Sequence, residues 1–96
     1  MERDEIIQSL HRFKEHNKSK YQIVRLGVFG SVARGVMSSD SDVDVVVELK
    51  EPDLFFLIGI KQDLEEQLNR SVDIVRYRDR MNTYLKQRID QEAVYV

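Results

Sequence analysis

The stretch from Gly30 to Asp44 restricts the possible folds of this chain more than any other part of the sequence. A Gly-Ser pair follows one apolar run, ten residues intervene, and an Asp-x-Asp triplet opens a second run, Val45–Val47. Both runs are rich in residues that favour β-strands. Because side chains alternate along a strand, Asp42 and Asp44 are expected on one face and the neighbouring valines on the other, in a core. The pattern predicts two strands and a pair of acids that point away from the core.

A third acid lies in a similar setting. Asp73 is flanked by apolar residues in a short strand-like segment, Val72–Val75, so its carboxylate should also point away from the core. Three carboxylates on one sheet face repel one another strongly unless a cation lies between them. Hard oxygen ligands on short side chains suit Mg²⁺, which takes further ligands from substrate phosphates. We therefore expect Asp42, Asp44 and Asp73 to bind two Mg²⁺ ions, roughly 3.5–4 Å apart, that hold the oxygens of an in-line displacement at phosphorus.

The Gly-Ser pair is expected to hold the phosphates of a nucleoside triphosphate. Gly30 allows the backbone to approach a phosphate and to adopt torsion angles that a side chain forbids. If a short helix begins at Ser31, its free amides and the positive end of its dipole face the triphosphate. Arg34, one turn further, can offer a planar guanidinium to the same group. Each residue alone is ordinary, since glycine and serine near a strand end usually form only a turn. The prediction depends on the whole set.

This set of residues resembles the signature of the DNA polymerase β-like nucleotidyltransferase superfamily. The motifs Gly-Ser-x-Ala-Arg-Gly and Ser-Asp-x-Asp are most similar to those of its minimal nucleotidyltransferase (MNT) branch, and the resemblance covers roughly residues 23–96. The resemblance implies that the three acids hold the metals and catalyse transfer, while the Gly-Ser pair holds the triphosphate. It also implies an antitoxin encoded beside a HEPN ribonuclease toxin, with AMP passing from ATP to a toxin tyrosine.

Composition limits the class of acceptor molecule and the cellular location that we expect. The formal net charge of −2 provides no basic field for nucleic acid, so we expect a protein or small-molecule acceptor and no direct nucleic-acid binding. The absence of cysteine excludes disulfides, thiol nucleophiles and thiolate metal sites. No signal-peptide core follows the first residues and no apolar run reaches membrane-spanning length. The sequence therefore predicts a cytoplasmic protein with no membrane contact.

The 96 residues are expected to form a single domain, residues 1–96, of the α+β class. We predict a two-layer structure in which helices pack on one face of a small mixed sheet, as in the polymerase β palm that the resemblance implies. Asp4 is expected to cap the first helix, and Pro52 to open a later one. The predicted elements are a first helix with the apolar stripe Ile6, Ile7, Leu10 and Phe13, strands at about Gln22–Phe29, Val43–Leu49 and Ser71–Tyr77, and helices at about Pro52–Asn69 and Arg80–Gln91.

Three functions stay open from the sequence. The first is an enzyme that passes AMP to a hydroxyl of a partner protein, and the second is an antitoxin that blocks its toxin by occlusion alone. The third is the catalytic subunit of a split nucleotidyltransferase of the antibiotic-modifying kind. The chain has no residues left for a second domain, so another chain is expected to supply the acceptor in a hetero-oligomer. Phe55, Phe56 and Ile60 are either core residues or part of such an interface.

Overall fold

The computed structural model describes residues 2–38 and 40–96, which form four helices and four strands. None of the helices in these two ranges is long and apolar enough to span a membrane. The elements in chain order are α1 (Arg3–Tyr21), β1 (Ile23–Phe29), α2 (Ser31–Arg34), β2 (Val43–Leu49), α3 (Leu54–Leu68), β3 (Val72–Arg76), α4 (Thr83–Glu92) and β4 (Val94–Tyr95).

The four strands form one mixed sheet in the order β3-β2-β1-β4. β1 pairs antiparallel with both β2 and β4, whereas β2 and β3 run parallel. The three longer strands were predicted, and β2 has the bounds expected from its valine run. β4 was not predicted, because two apolar residues near the end of the chain give no strand pattern of their own. The sheet confirms the predicted α+β class.

The first face of the sheet carries the main core. Val28 and Val45 point to this face and are fully buried, as are Leu10 of α1 and Leu64 of α3. α1 and α3 therefore cover this face together, and the apolar stripe predicted for α1 packs against it.

The second face of the sheet carries the acids and is partly covered by α4. Phe29, Val46 and the α4 residue Ile89 form a small separate cluster there. Phe29 and Val46 alternate with the core residues of their strands, so they lie on the side of the sheet away from α1 and α3. The sequence analysis expected all helices on one face. α4 covers the middle of the second face. Among the described residues, the acids at one end of this face and a polar region at its other end stay open to solvent.

Two helix starts differ from the predicted residues because other side chains satisfy the free amides. α1 is capped by Glu2, whose side chain accepts from the N3 amide while Glu5 accepts from the Glu2 amide, so Asp4 lies inside the first turn. At α3 the carboxylate of Asp53 accepts from the Phe56 amide at 3.1 Å. Asp53 is thus the cap, and Pro52 precedes the helix rather than opening it.

The apolar residues of α3 divide between core and surface. Ile60 is fully buried, and Phe56 packs edge-to-face on Tyr21 with ring centroids 5.8 Å apart. Phe55 is 83% exposed. Leu54 and Ile58 of the same helix are also exposed. The question left open for Phe55, Phe56 and Ile60 is thereby answered for the isolated chain: Ile60 lies in the core, Phe56 packs against it, and Phe55 is exposed.

Candidate active site

The acids predicted from the sequence meet at one end of the second sheet face. Asp44 lies in β2, and the parallel register places it directly beside Asp73 of β3. Asp42 immediately precedes β2 and is exposed, two residues from Asp44 and therefore on the same side of the strand. The backbone pairing thus brings together three acids that are separated by up to thirty-one positions in the sequence.

Burial and neighbouring charges shift the pKa of Asp44. Its pKa is raised, first because the half-buried carboxyl is desolvated and next because the charge of Asp73 repels its own. Asp42 adds to the rise, whereas the positive charges of Arg88 and Arg34 oppose it. Asp44 is therefore a carboxylate that has two acidic neighbours and no hydrogen-bond donor of its own in the described part of the chain. A bound cation relieves this repulsion.

The three acids suit Mg²⁺ in chemistry, although they are not gathered into a finished metal site. Within residues 2–38 and 40–96, no group of three or more acidic or histidine side chains is close enough to hold an ion. The donors are short carboxylates on adjacent strands, of the type that binds Mg²⁺ together with water and phosphate oxygens. The donor set fits such an ion in chemistry, with the remaining ligands to come from water or phosphate oxygens.

The turn at Gly30 lies directly against Asp44. Gly30 has φ 71° and ψ −144°, a conformation that residues with a side chain rarely adopt. A β-carbon at this position would overlap Oδ2 of Asp44. The glycine is therefore required both by its torsion angles and by the close approach of the carboxylate. The predicted phosphate loop and the predicted metal ligands form one continuous surface.

The short helix α2 begins at Ser31, as the sequence analysis expected. Gly35 ends it in the left-handed conformation, with φ 74°, and its amide donates to the carbonyl oxygens of Ser31 and Val32. The first amides of any helix lack acceptors within the helix, and no side chain caps those of α2. These amides remain available as donors beside the Gly30 turn.

Arg34 is held by a residue that sequence reasoning missed. Nη1 of Arg34 lies 3.2 Å from each carboxylate oxygen of Glu92, at the end of α4. The Gly30 amide donates to Oε2 of the same carboxylate at 3.2 Å, and Nη2 of Arg88 lies 3.7 Å from it. In the sequence, Arg88 and Glu92 show only the four-residue spacing of an ordinary helical ion pair, which gives no signal that they reach the glycine turn.

A second missed residue, Arg70, orders the loop that leads to Asp42. Its Nη2 donates to the carbonyl oxygens of Ser38 at 2.8 Å and Ser41 at 2.7 Å. Its buried Nε has no acceptor among the residues that the structure describes. The signal available in the sequence was weak, because an arginine in the turn between a helix and a strand is usually solvated. Arg70 connects the start of β3 to the start of β2, and so links the elements that carry Asp73 and Asp42.

Comparisons with known proteins agree with this geometry. The family model of the nucleotidyltransferase domain matches residues 10–96. The protein adenylyltransferase MntA of Thermococcus cleftensis is 33% identical over 94 residues, which cover 97% of this chain and 94% of that protein. A solved structure described as a minimal nucleotidyltransferase is 34% identical with a TM-score of 0.74, covering 92% of this chain and 93% of that one.

Solved toxin–antitoxin complexes share the fold at lower identity. One complex with AMP-PNP contains a chain with a TM-score of 0.76 and 22% identity, covering 92% of this chain and 69% of that one. Another pairs a tri-AMPylated HEPN toxin of Shewanella oneidensis with an MNT antitoxin, at a TM-score of 0.58 and 21% identity. The matched family model and the relatives above 30% identity confirm the enzyme class that the motifs predicted. The chain belongs to the nucleotidyltransferase domain family.

Proposed function

We propose that this protein transfers AMP from ATP to a tyrosine hydroxyl of a partner HEPN toxin and thereby acts as its antitoxin. The observation that carries the proposal is the register of Asp44 beside Asp73, directly against the Gly30 turn. Acids and phosphate loop are contiguous, as nucleotidyl transfer from a triphosphate requires. The protein adenylyltransferase MntA at 33% identity supports AMP as the transferred group, and the complex with AMP-PNP supports ATP as its source.

The roles of the residues follow from their positions. Asp42, Asp44 and Asp73 would hold Mg²⁺, which, when bound, supplies positive charge that neutralises the triphosphate. The turn at Gly30 would admit the phosphates, and the amide and hydroxyl of Ser31 would donate to their oxygens. Arg34 would direct its remaining guanidinium N–H groups toward the same oxygens.

The transfer step forms one bond and breaks another at the α-phosphorus. The tyrosine oxygen attacks this phosphorus, the bond to the bridging oxygen of the β-phosphate breaks, and pyrophosphate leaves with the bonding electrons. The proton of the tyrosine hydroxyl passes to the carboxylate of Asp73, which is exposed at the edge of the acid cluster. The product is an AMP–tyrosine phosphodiester.

The experiment is incubation of the protein with ATP, Mg²⁺ and the toxin encoded next to it, followed by mass spectrometry of both chains. We expect the toxin to gain the mass of one or more AMP groups, and a trace of this protein to inactivate an excess of toxin lastingly. The matched control is the Asp42→Asn, Asp44→Asn double variant, which keeps the shape of the site and should leave the toxin unmodified. Equal neutralisation by that variant, one copy per toxin and without ATP, would instead support occlusion alone.

The identity of the acceptor is tested in the same reactions. An aminoglycoside antibiotic in place of the toxin examines the split small-molecule enzyme, and AMP on the antibiotic rather than on the toxin would contradict the proposed acceptor. We further propose a hetero-oligomer with the toxin in the cytoplasm, where ATP is available. Size-exclusion chromatography of the co-expressed pair tests the complex, and two separate peaks would contradict it.

A further inference from the structure

We propose that Glu92 is a positioning residue for the triphosphate site, acting through Arg34 and the Gly30 turn. This inference rests on the proposed function, because it assigns a role at the same site. One carboxylate at the end of α4 accepts the Gly30 amide at 3.2 Å and Nη1 of Arg34 at 3.2 Å. Glu92 therefore joins the residue that shapes the phosphate turn to the side chain that is expected to contact the phosphates.

The contacts of Glu92 are asymmetric in a way that suits positioning. Oε2 receives both the Gly30 amide and Arg34, whereas Oε1 receives Arg34 alone. Among the described residues, Nη1 is the one guanidinium nitrogen with an acceptor, so Nη2 and Nε of Arg34 keep their N–H groups for a ligand. The bond to Glu92 restricts a long side chain that is otherwise 48% exposed. A restrained guanidinium loses less conformational entropy when it binds a phosphate.

Glu92 engages only part of the donors proposed to contact the phosphates. It binds the Gly30 amide, which precedes α2, while the first amides of the helix itself receive no side-chain cap. Arg88 approaches the same oxygen, with Nη2 3.7 Å from Oε2, and its guanidinium lies 6.0 Å from the Phe29 ring centroid. The carboxylate is thus bound by the Gly30 amide and Nη1 of Arg34, while the first amides of α2 and the other N–H groups of Arg34 are the donors proposed for the triphosphate. If Glu92 competed with phosphate for these donors, removing its charge would tighten ATP binding. A positioning role predicts that the same change weakens ATP binding.

The same contacts tie the last helix to the catalytic face. α4 packs through Ile89 on Phe29, the residue that immediately precedes Gly30. Glu92 follows one turn later and reaches the glycine itself. The apolar contact sets the distance between the helix and the strand, and the carboxylate sets the orientation of the turn. The polar contact is the part that a single substitution can remove while the packing stays.

The test measures ATP binding by isothermal titration calorimetry in the presence of Mg²⁺, for the full chain and its variants. Glu92→Gln keeps the shape of the side chain and one acceptor for Gly30 but loses the charge that holds Arg34. We expect it to weaken ATP binding about tenfold, the factor typical of a lost charge-assisted hydrogen bond. Asp90→Asn is the matched control. It removes the same charge from the same helix, where Asp90 accepts from the Tyr77 hydroxyl, and should leave the affinity within about twofold of wild type.

A double-variant cycle separates positioning from a merely structural role. Because Glu92 acts through Arg34, we expect Glu92→Gln to weaken binding at most about twofold further when Arg34 is already alanine. Additive losses, or tighter ATP binding by Glu92→Gln, would overturn the inference. Melting temperatures measured on the same samples identify any variant that fails to fold, and Glu92→Asp, which retains the charge, should restore part of the lost affinity. If wild type binds no ATP at all, the proposed function fails together with the inference. Wild-type binding with no change in Glu92→Gln overturns the inference alone.

Discussion

The two ends of the acid-bearing sheet face hold their charges in opposite ways. At one end, Asp44 and Asp73 lie side by side on neighbouring strands and repel each other. At the other end, about 13 Å away along β1 and β2, Nε of Arg25 lies 2.8 Å from the carboxylate of Glu48. The Arg25 guanidinium also lies 4.7 Å and 5.1 Å from the ring centroids of Tyr95 and Tyr77.

Under the proposed function, this difference separates an end that serves the fold from an end that serves chemistry. Arg25 and Glu48 satisfy one another, so this end is complete without a ligand. The pKa of Asp44 is raised, because Arg88 and Arg34 only partly offset its burial and its acidic neighbours, so the folded state is less stable than it would be with a neutral residue there. The cation proposed for this site would reverse that repulsion when bound.

The largest expected effect comes from neutralising the acid end. Asp44→Asn should lower AMP transfer by about 1,000-fold or more, because a metal-bridging charge contributes several kcal/mol to the transition state. Without metal, its melting temperature should rise by roughly 2–5 °C, because the repulsion and the desolvated charge are removed.

The paired end provides the control for that substitution. Glu48→Gln removes the same charge from the same strand, four residues further along. It should leave transfer near the wild-type rate and lower the melting temperature slightly. The comparison breaks if Asp44→Asn still transfers AMP at a wild-type rate, or if Glu48→Gln does not.

The next effect tests whether the glycine turn and the acid end form one unit. Gly30→Val should abolish measurable ATP binding and lower the melting temperature, because its β-carbon overlaps Asp44 and its φ is positive. Ser31→Ala should weaken ATP binding only by about 0.5–1.5 kcal/mol, the value of one neutral hydrogen bond. Calorimetric titration gives both affinities. A Ser31→Ala protein more damaged than Gly30→Val would show that the turn does not approach the phosphates.

A third prediction compares Asp44 with a buried group that does have a partner. Burial, together with the hydrogen bond to Asp63, raises the pKa of Tyr21 to about 12. Between pH 10 and 12 the unfolded chain loses this proton while the folded chain keeps it, so stability falls as pH rises, by at most roughly 2–3 kcal/mol.

Tyr21→Phe isolates this contribution. At pH 8 the variant should be less stable than wild type by about 1 kcal/mol, because the hydrogen bond is lost. Urea titrations between pH 8 and 12 should show this gap narrowing above pH 10 and changing sign before pH 12, since phenylalanine has no proton to lose. A gap that stays constant over this range would mean that the Tyr21 pKa is not raised in the folded state.

The smallest effect is expected at the paired end itself. A double-mutant cycle with Arg25→Gln and Glu48→Gln should give a coupling energy of about 0.2–1 kcal/mol, since both side chains are more than a third exposed. Chemical unfolding of the four proteins measures it. A coupling above about 2 kcal/mol would mean that the two tyrosine rings desolvate the pair, which would make this end a structural anchor instead of an ordinary surface pair.

Much of the site could be predicted because its residues lie in local patterns. The valine run around Asp44 specifies a strand with its acids on one side, and the bounds of β2 were predicted without error. The alternation also predicted that Val43, Val45 and Val47 are buried, but not that Val46, on the acid face, is buried as well beneath α4. The helix ends were less accurate, since several polar residues near each start are competent caps. Glu2 and Asp53 were selected over Asp4 and Pro52 by the geometry of the first turn.

The sequence by itself identified the family of this protein and led to the chemistry proposed for it, because a glycine turn followed by alternating acids on a strand is a local pattern that resembles a phosphate loop beside metal-binding acids. Only the tertiary structure decided which distant residues support that loop and those acids. Glu92 lies sixty-two positions from Gly30, and Arg70 lies thirty-two from Ser38. Periodicity along the chain is a local property, whereas these contacts depend on how α4 packs on Phe29 and how β3 pairs with β2. Such packing is set by the sum of many apolar contacts, and no short motif encodes it.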